Sequence, residues 1–176
     1  MTKDKAGPII PNGIIGPALL RMTWVQEAVM DQESLKLLAE INRAIIQYRG
    51  LYAAWSKEHG ISYHELLVLY TIREQGFCTQ KQICDSYLLP RQTINHVMLD
   101  LRERGLLELS PAHCIGREKA FVLSEQGRRY AGPLLEALNR MELQTLETVG
   151  TQNIRALVQA VLTYDEALER AMKACE

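Results

Sequence analysis

Between Thr79 and Gly105 the chain carries two helix signals joined by a turn too short to let the helices separate, and this constrains the fold more than any other feature. Thr79-Gln80-Lys81-Gln82 is a capping box: the threonine hydroxyl accepts from the third helical amide while the glutamine reaches back to the threonine amide. It opens a short helix through Ile83 and Cys84 to about Ser86, and Tyr87 to Leu89 follow as a turn. Pro90, with φ preset and no amide to lose, suits the first turn of a second helix. That helix runs to Arg104 and is stopped by Gly105. Its Ile94, Val97, Met98 and Leu101 recur at i, i+3, i+4 and i+7, which makes one stripe to bury. Gln92, Asn95, His96, Leu99 and Glu103 fall on the opposite face.

The flanks are helical too. Leu35, Leu38, Ile41, Ile45, Tyr48, Leu51, Tyr52 and Trp55 recur every three or four residues from about Val29 to Glu58, with Gly60 as the stop. Ser62-Tyr63-His64-Glu65 is a second capping box, for a helix ending near Glu74 before Gly76. Downstream of Gly105, Leu106, Leu107 and Leu109 read as a short strand. Ser110 to Gly116 is a loop, and Ala120 to Leu123 is the returning strand. Ser124 caps a helix to about Val149, with an irregularity expected at Gly132-Pro133. Gly150 ends it, and Thr151 caps a last helix carrying Ile154, Leu157, Val158, Val161, Leu162 and Leu168.

The predicted fold is therefore mainly α with a small β-wing: a winged helix-turn-helix with N- and C-terminal dimerisation helices. Residues 1–28 form an N-terminal arm in which Pro8, Pro11 and Pro17 and several glycines separate isoleucine pairs, too irregular for a helix and too apolar for a solvated linker. The first dimerisation helix occupies 29–60, the winged lobe 61–129 and the C-terminal dimerisation helices 130–176. The terminal helices carry more apolar positions than one small winged lobe can cover, which points to a second copy of the chain.

The outer face of the second helix states the chemistry. Arg91, Gln92, Asn95 and His96 crowd its N-terminal half, with Thr93 at the edge. Arginine matches guanine O6 and N7, and asparagine or glutamine matches adenine N6 and N7. Leu99 is suited to a thymine methyl, and Arg102 and Arg104 to flanking phosphate. The hairpin adds His113, Arg117 and Lys119, cations suited to a minor groove or phosphate. Net charge is only -1, so the whole chain is no basic coat for nucleic acid. From Thr79 to Arg129, however, eight Lys/Arg stand against six Asp/Glu, while the rest holds twelve against fifteen.

From Ile61 to Arg129 the chain resembles the MarR family of regulators. The stretches that carry the resemblance are Leu66 to Tyr70, Thr79 to Ile83, Arg91-Gln92-Thr93-Ile94, Leu101 to Leu107, and Val122 to Gly127. The family's leucine–threonine–x–x–glycine after the wing reads Leu123-Ser124-Glu125-Gln126-Gly127. Of its wing Asp-x-Arg, Arg117 takes the arginine position, while Ile115 stands where the aspartate would be. The resemblance implies a homodimeric, sequence-specific regulator of transcription, a repressor, that binds double-stranded DNA at a pseudo-palindromic operator. It also implies a small aromatic effector between the dimer helices and the DNA-binding lobe, where Tyr48, Tyr52, Trp55 and His64 are the candidate lining residues. Ordinary aromatic core packing is the better account of any one of these four taken singly.

Other classes find little support. There is no Gly-rich phosphate loop, no H-E-x-x-H and no nucleophile elbow, so no catalytic residue and no cofactor are expected. Cys78, Cys84, Cys114 and Cys175 form no zinc spacing with the four histidines, so no metal is expected and free thiols are. Cys84 reads as core filler and Cys114 as an exposed wing thiol. Apolar runs such as Leu66–Tyr70 are far shorter than the roughly 20 residues of a spanning helix, so no membrane partner and a cytoplasmic location are expected. The alternative that stays open is a winged-helix module for protein–protein assembly without specific DNA binding. Such an interface favours aromatic anchors, whereas this helix face holds groove-reading types.

Overall fold

The computed structural model describes residues 31–174. The N-terminal arm at 1–28 and Cys175 lie outside them. The chain divides into two units, one ending at Leu51 and one starting at Tyr52. Helix α1 (Gln32–Glu58) crosses from the first into the second. In the first unit its periodic residues Leu35, Leu38, Tyr48 and Leu51 are exposed, Leu51 to 71%.

In the second unit α1 is followed by α2 (Tyr63–Gln75), β1 (Cys78–Thr79), α3 (Gln80–Tyr87) and α4 (Arg91–Glu103). Then come β2 (Leu107–Leu109), a 3-10 turn (Pro111–His113), β3 (Ala120–Leu123), α5 (Glu125–Val149) and α6 (Thr151–Ala174). The helices expected from capping and periodicity all form. Thr79 makes both halves of its capping box: its hydroxyl accepts from the Gln82 amide at 3.0 Å, and its own amide donates to Gln82 Oε1 at 3.1 Å. Ser62 makes one half, accepting from the Glu65 amide at 3.0 Å. The Glu65 carboxylate does not reach back as expected; it turns into the interior, as described below. The turn between α3 and α4 is closed by Leu88, the one positive-φ residue other than glycine among those described, at φ 50°. Pro90 sits one place before the first residue of α4.

Two further expectations are corrected. Helix α5 runs unbroken through Pro133; the missing N–H costs one hydrogen bond, which packing of Ala131, Leu134 and Leu138 outweighs. The wing hairpin is also part of a three-stranded antiparallel sheet, ordered β1-β3-β2. Strand β1 pairs Cys78 with Phe121 and Thr79 with Ala120, and β2 pairs Leu107 with Leu123, Glu108 with Val122 and Leu109 with Phe121. A two-residue strand lies below any periodicity signal; pairing with β3 alone defines it.

The main core joins Val68 and Ile72 of α2, Ile83 of α3, Ile94, Met98 and Leu101 of α4, and Leu106, Leu107 and Phe121 of the hairpin. The predicted buried stripe of α4 is thus the one the lobe covers. A second cluster centres on Ile61, Leu66 and Leu138, with Tyr52, Trp55, Tyr70 and Tyr130 among the aromatic side chains around it. The Leu-Ser-x-x-Gly stretch acquires its reason here. Ser124 Oγ donates to Gly105 O at 2.6 Å and accepts from the Gly127 amide at 2.9 Å. Gly127 packs so tightly on the chain entering β2 that a Cβ there would stand 2.0 Å from Leu106 O. Helix α6 contains no buried residue; Leu157, Val158, Leu162, Leu168 and Met172 are all exposed. No helix among the described residues is long and apolar enough to cross a membrane.

Candidate nucleic-acid interface

Burying Ile94, Met98 and Leu101 fixes the rotation of α4, so Arg91, Gln92, Asn95, His96 and Leu99 project outward while Thr93 is half-buried at the edge. The start of the helix is fixed as well. Gln80 Nε2 donates to Arg91 O at 2.8 Å, tying the first turn of α3 to the first residue of α4.

The wing faces this surface across a cleft of about 450 Å³. Lys81, Arg91 and Arg102 line the helical side, Arg117 and Lys119 the wing side, with Met98 and Phe121 between them. The Arg102 guanidinium lies 5.2 Å from the Phe121 ring centroid, a cation–π contact that keeps the charge in the cleft. Lys81 pairs with Asp85 at 2.6 Å, and that hydrogen bond and charge push its pKa up, so it stays a cation. Arg117 and Lys119 form no ion pair among the described residues and are exposed. The cleft is therefore strongly cationic, which favours a polyanion.

His113 does not join the other two wing cations. It stacks on Phe77 with ring centroids 4.5 Å apart and shares a 2.7 Å hydrogen bond between Nδ1 and Ser110 Oγ, which holds it at the base of the wing. The tip is a tight turn. Ile115 and Glu118 exchange backbone hydrogen bonds of 3.2 and 2.9 Å, and Gly116 takes the left-handed φ of 59° that the turn needs.

Arg104, expected at flanking phosphate, is engaged by other side chains of the protein while its own side chain stays 37% exposed. Its Nη1 donates to Asp100 at 2.9 Å and to buried Glu65 at 3.3 Å, and its guanidinium lies over the Tyr130 ring at 4.9 Å. Tyr130 completes the group by donating to the same Glu65 oxygen at 2.9 Å. This network holds the C-terminal end of α4 against α2 and α5. Sequence reasoning missed it because Glu65 has an obvious local use in a capping box and Tyr130 lies 65 positions away.

Three of the four candidate effector residues, Tyr52, Trp55 and His64, lie in the second unit. Tyr52 and Trp55 pack in the second core cluster, and Trp55 stacks on His59 at 3.9 Å. His64 is half-buried beside Tyr63, with ring centroids 6.1 Å apart, and Tyr48 belongs to the unit that ends at Leu51. The polar groups near Tyr52 were not foreseen. Its hydroxyl donates to Glu142 at 3.1 Å, and the other Glu142 oxygen accepts from Arg73 at 3.3 Å. Arg73 also lies 4.2 Å from the Tyr70 ring centroid, and its buried Nη1 finds no hydrogen-bond partner among the described residues. Burial, then the neighbouring Glu142 charge, pushes the Tyr70 phenol up.

Two of the thiols, Cys78 and Cys84, are chemically quiet. Burial raises Cys78 to about 12 and also raises Cys84, so neither is a ready thiolate. Cys114 is half-buried rather than exposed as expected. Its thiol donates to Ser110 O at 3.3 Å and accepts from the Ala120 amide at 3.4 Å, filling the inside of the wing loop. Among the described residues no cluster of His, Cys, Asp and Glu could hold a metal ion.

A capped short helix, a tight turn, an outward-facing polar helix and a three-stranded sheet ending in a basic hairpin define a winged helix-turn-helix protein. No family model matches the chain and no curated protein matches it significantly. Solved structures do. A MarR family regulator from Neisseria meningitidis is 26% identical, with a TM-score of 0.73 over 80% of this chain and 99% of that one. Bordetella bronchiseptica BpsR, whose DNA binding is regulated by 6-hydroxynicotinic acid, is 18% identical, with a TM-score of 0.56 over 74% of this chain and 98% of that one. Staphylococcus aureus MarR, solved with salicylate and kanamycin, is 15% identical, with a TM-score of 0.59 over 80% of this chain and 95% of that one. The chain thus has the fold of these winged helix-turn-helix structures and is similar to regulators of the MarR family.

Proposed function

We propose that the protein binds a specific pseudo-palindromic operator in double-stranded DNA as a homodimer and represses transcription there. The observation that carries this reading is the pairing of Arg91, Gln92, Asn95 and His96 on the outer face of α4 with Arg117 and Lys119 across a cationic cleft. In this reading α4 enters the major groove by its N-terminal half, and Thr93 contacts the groove edge. The sugar–phosphate backbone crosses the cleft beside Lys81 and Arg102, and the wing cations reach the flanking minor groove. The winged lobe at 61–129 reads DNA, while 29–60 and 130–176 hold the dimer. The exposed leucines of α1 before Leu51 and of α6 support that division of labour. Two-fold symmetry would set the two α4 helices about 10 base pairs apart.

Selection from a random duplex library tests this directly, followed by titration of the enriched site against scrambled DNA at several salt concentrations. Enrichment of a pseudo-palindrome, bound preferentially and with a steep salt dependence, is the expected result. A verified folded dimer that enriches no sequence would move the reading to an assembly module.

A small aromatic effector belongs to the same proposal. The regulation of BpsR by 6-hydroxynicotinic acid and the salicylate complex of Staphylococcus aureus MarR support it by analogy. In this chain, the buried Arg73 nitrogen beside Tyr52 and Tyr70 is a donor suited to an aromatic acid. Release of the operator by such an acid, lost in Arg73→Met, is the outcome expected in a fluorescence-anisotropy titration.

A further inference from the structure

We propose that Glu118 is the residue that positions the wing, acting as a latch between the hairpin and the helix-turn-helix; the DNA consequence rests on the operator-binding reading above. The paired part of the hairpin ends early. The β2–β3 ladder stops at the Leu109–Phe121 pair, and beyond it the strands are joined by one backbone bond from Ser110 to Ala120, the Cys114 thiol between Ser110 O and the Ala120 amide, and the reciprocal pair of Ile115 and Glu118, with two more backbone bonds inside the 3-10 turn. A hairpin tip whose own regular pairing has ended depends on side-chain contacts for its position.

Two side-chain links tie this outer part to the body among the described residues. One is the stacking of His113 on Phe77, at the base. The other is the hydrogen bond donated by Thr79 Oγ1 to the Glu118 carboxylate. Glu118 therefore does two jobs. Its backbone closes the tip turn, and its side chain fastens that turn to the N-cap of α3. Arg117, one of the two wing cations that line the cleft, is an adjacent residue, so the latch fixes the backbone from which it projects.

Thr79 is a suitable anchor. It is buried, its position is set by pairing with Ala120, and its hydroxyl oxygen already accepts from the Gln82 amide. The hydroxyl proton is what it has left to give, and a carboxylate is the strongest acceptor available for it. Removing the Glu118 side chain leaves the capping bond intact, so the helix-turn-helix keeps its fold while the wing loses its anchor. Ile115, at the position where a wing carboxylate would be expected, cannot supply this link and is exposed.

The rival account of Glu118 is that it is only an unfavourable negative charge in a cationic cleft. The two accounts predict opposite signs. As a latch, Glu118→Ala weakens operator binding by about tenfold, the scale of one lost charge-assisted hydrogen bond. Glu118→Gln, which keeps the acceptor and drops the charge, recovers most of the loss. Because the latch acts through Arg117, Glu118→Ala adds little to Arg117→Ala in a double-mutant cycle. As a mere charge, Glu118→Ala and Glu118→Gln both tighten binding.

The test measures operator affinity for the full-length wild type, Glu118→Ala, Glu118→Gln, Arg117→Ala and the double variant. Amide hydrogen exchange on the DNA-free proteins accompanies it. The expected result is weakened binding, rescue by glutamine and non-additivity. Exchange at Ile115 and Glu118 should be faster in Glu118→Ala alone, with α2 amides unchanged. Tighter binding by Glu118→Ala, or unchanged wing exchange, overturns the latch. A loss of affinity additive with that of Arg117→Ala overturns its action through Arg117. Full binding by Arg117→Ala would instead count against the wing's part in the operator reading, and the exchange measurement would still decide the latch.

Discussion

Helices α4 and α6 look alike as sequence and differ completely as structure. Each carries an apolar stripe at helical spacing: Ile94, Val97, Met98 and Leu101 in α4, and Leu157, Val158, Val161, Leu162 and Leu168 in α6. In α4 the core of the same chain covers Ile94, Met98 and Leu101, whereas in α6 Ile154, Val161 and Tyr164 are at most half-buried and the rest of the helix is exposed. An amphipathic pattern says that a face must be covered, because exposed apolar area costs roughly 25 cal/mol per Å². It does not say whether the cover comes from the same chain. The polar faces differ to match. The outer face of α4 presents exposed polar side chains, and most of the α6 stripe is exposed apolar surface.

The contrast can be broken at its strongest point by truncating Leu101, which is fully buried. Leu101→Ala should cost about 3 kcal/mol through the cavity it leaves. Chemical denaturation should show this loss independent of protein concentration. Gly127→Ala should come next, at about 2 kcal/mol, because the added methyl must displace the Leu106 carbonyl; thermal unfolding measures it. Burial also gives the α4 side a pH signature that α6 lacks. Cys78 rises from 9.0 to about 12, so the folded protein keeps a proton that the unfolded chain loses. Stability is then complete below pH 9 and falls by up to about 1.4 kcal/mol per pH unit above it. Urea titrations across that window should show a shallower fall in Cys78→Ala. The smallest effect on the single chain should be Leu162→Ala, which opens no cavity there. Its loss of about 1 kcal/mol should appear instead as weaker self-association, read by sedimentation equilibrium and as a concentration-dependent Tm. A concentration-independent loss of several kcal/mol would place Leu162 in a core of its own chain and dissolve the comparison.

The same logic separates the legible parts of the site from the hidden ones. Arg91, Gln92, Asn95 and His96 could be named in advance, because a helix with one buried stripe has its outer face determined by geometry. Arg117 and Lys119 could be named because hairpin strands and turn residues are local signals. Arg104, read as a phosphate contact, has internal partners that the sequence did not reveal. Its charge is visible in sequence, but its engagement by Glu65, Asp100 and Tyr130 depends on three separate elements meeting. Glu118 passed unnoticed because its partner, Thr79, lies 39 positions away. Strand β1 escaped for the same reason.

By itself the sequence determined the helices and their order, the capping at Ser62, Thr79 and Ser124, the buried face of α4 and the chemistry of its outer face. All of these follow from contacts within a few residues along the chain and from helical period. The tertiary structure alone decided that β1 joins the hairpin in one sheet and that Glu65 is an interior carboxylate rather than a capping one. It also decided that His113 rests at the wing base, that Glu118 fastens the tip, and that most of the α6 stripe is left exposed by its own chain. These depend on which distant groups become neighbours, and a polar side chain with two possible partners goes to the one that also relieves its burial.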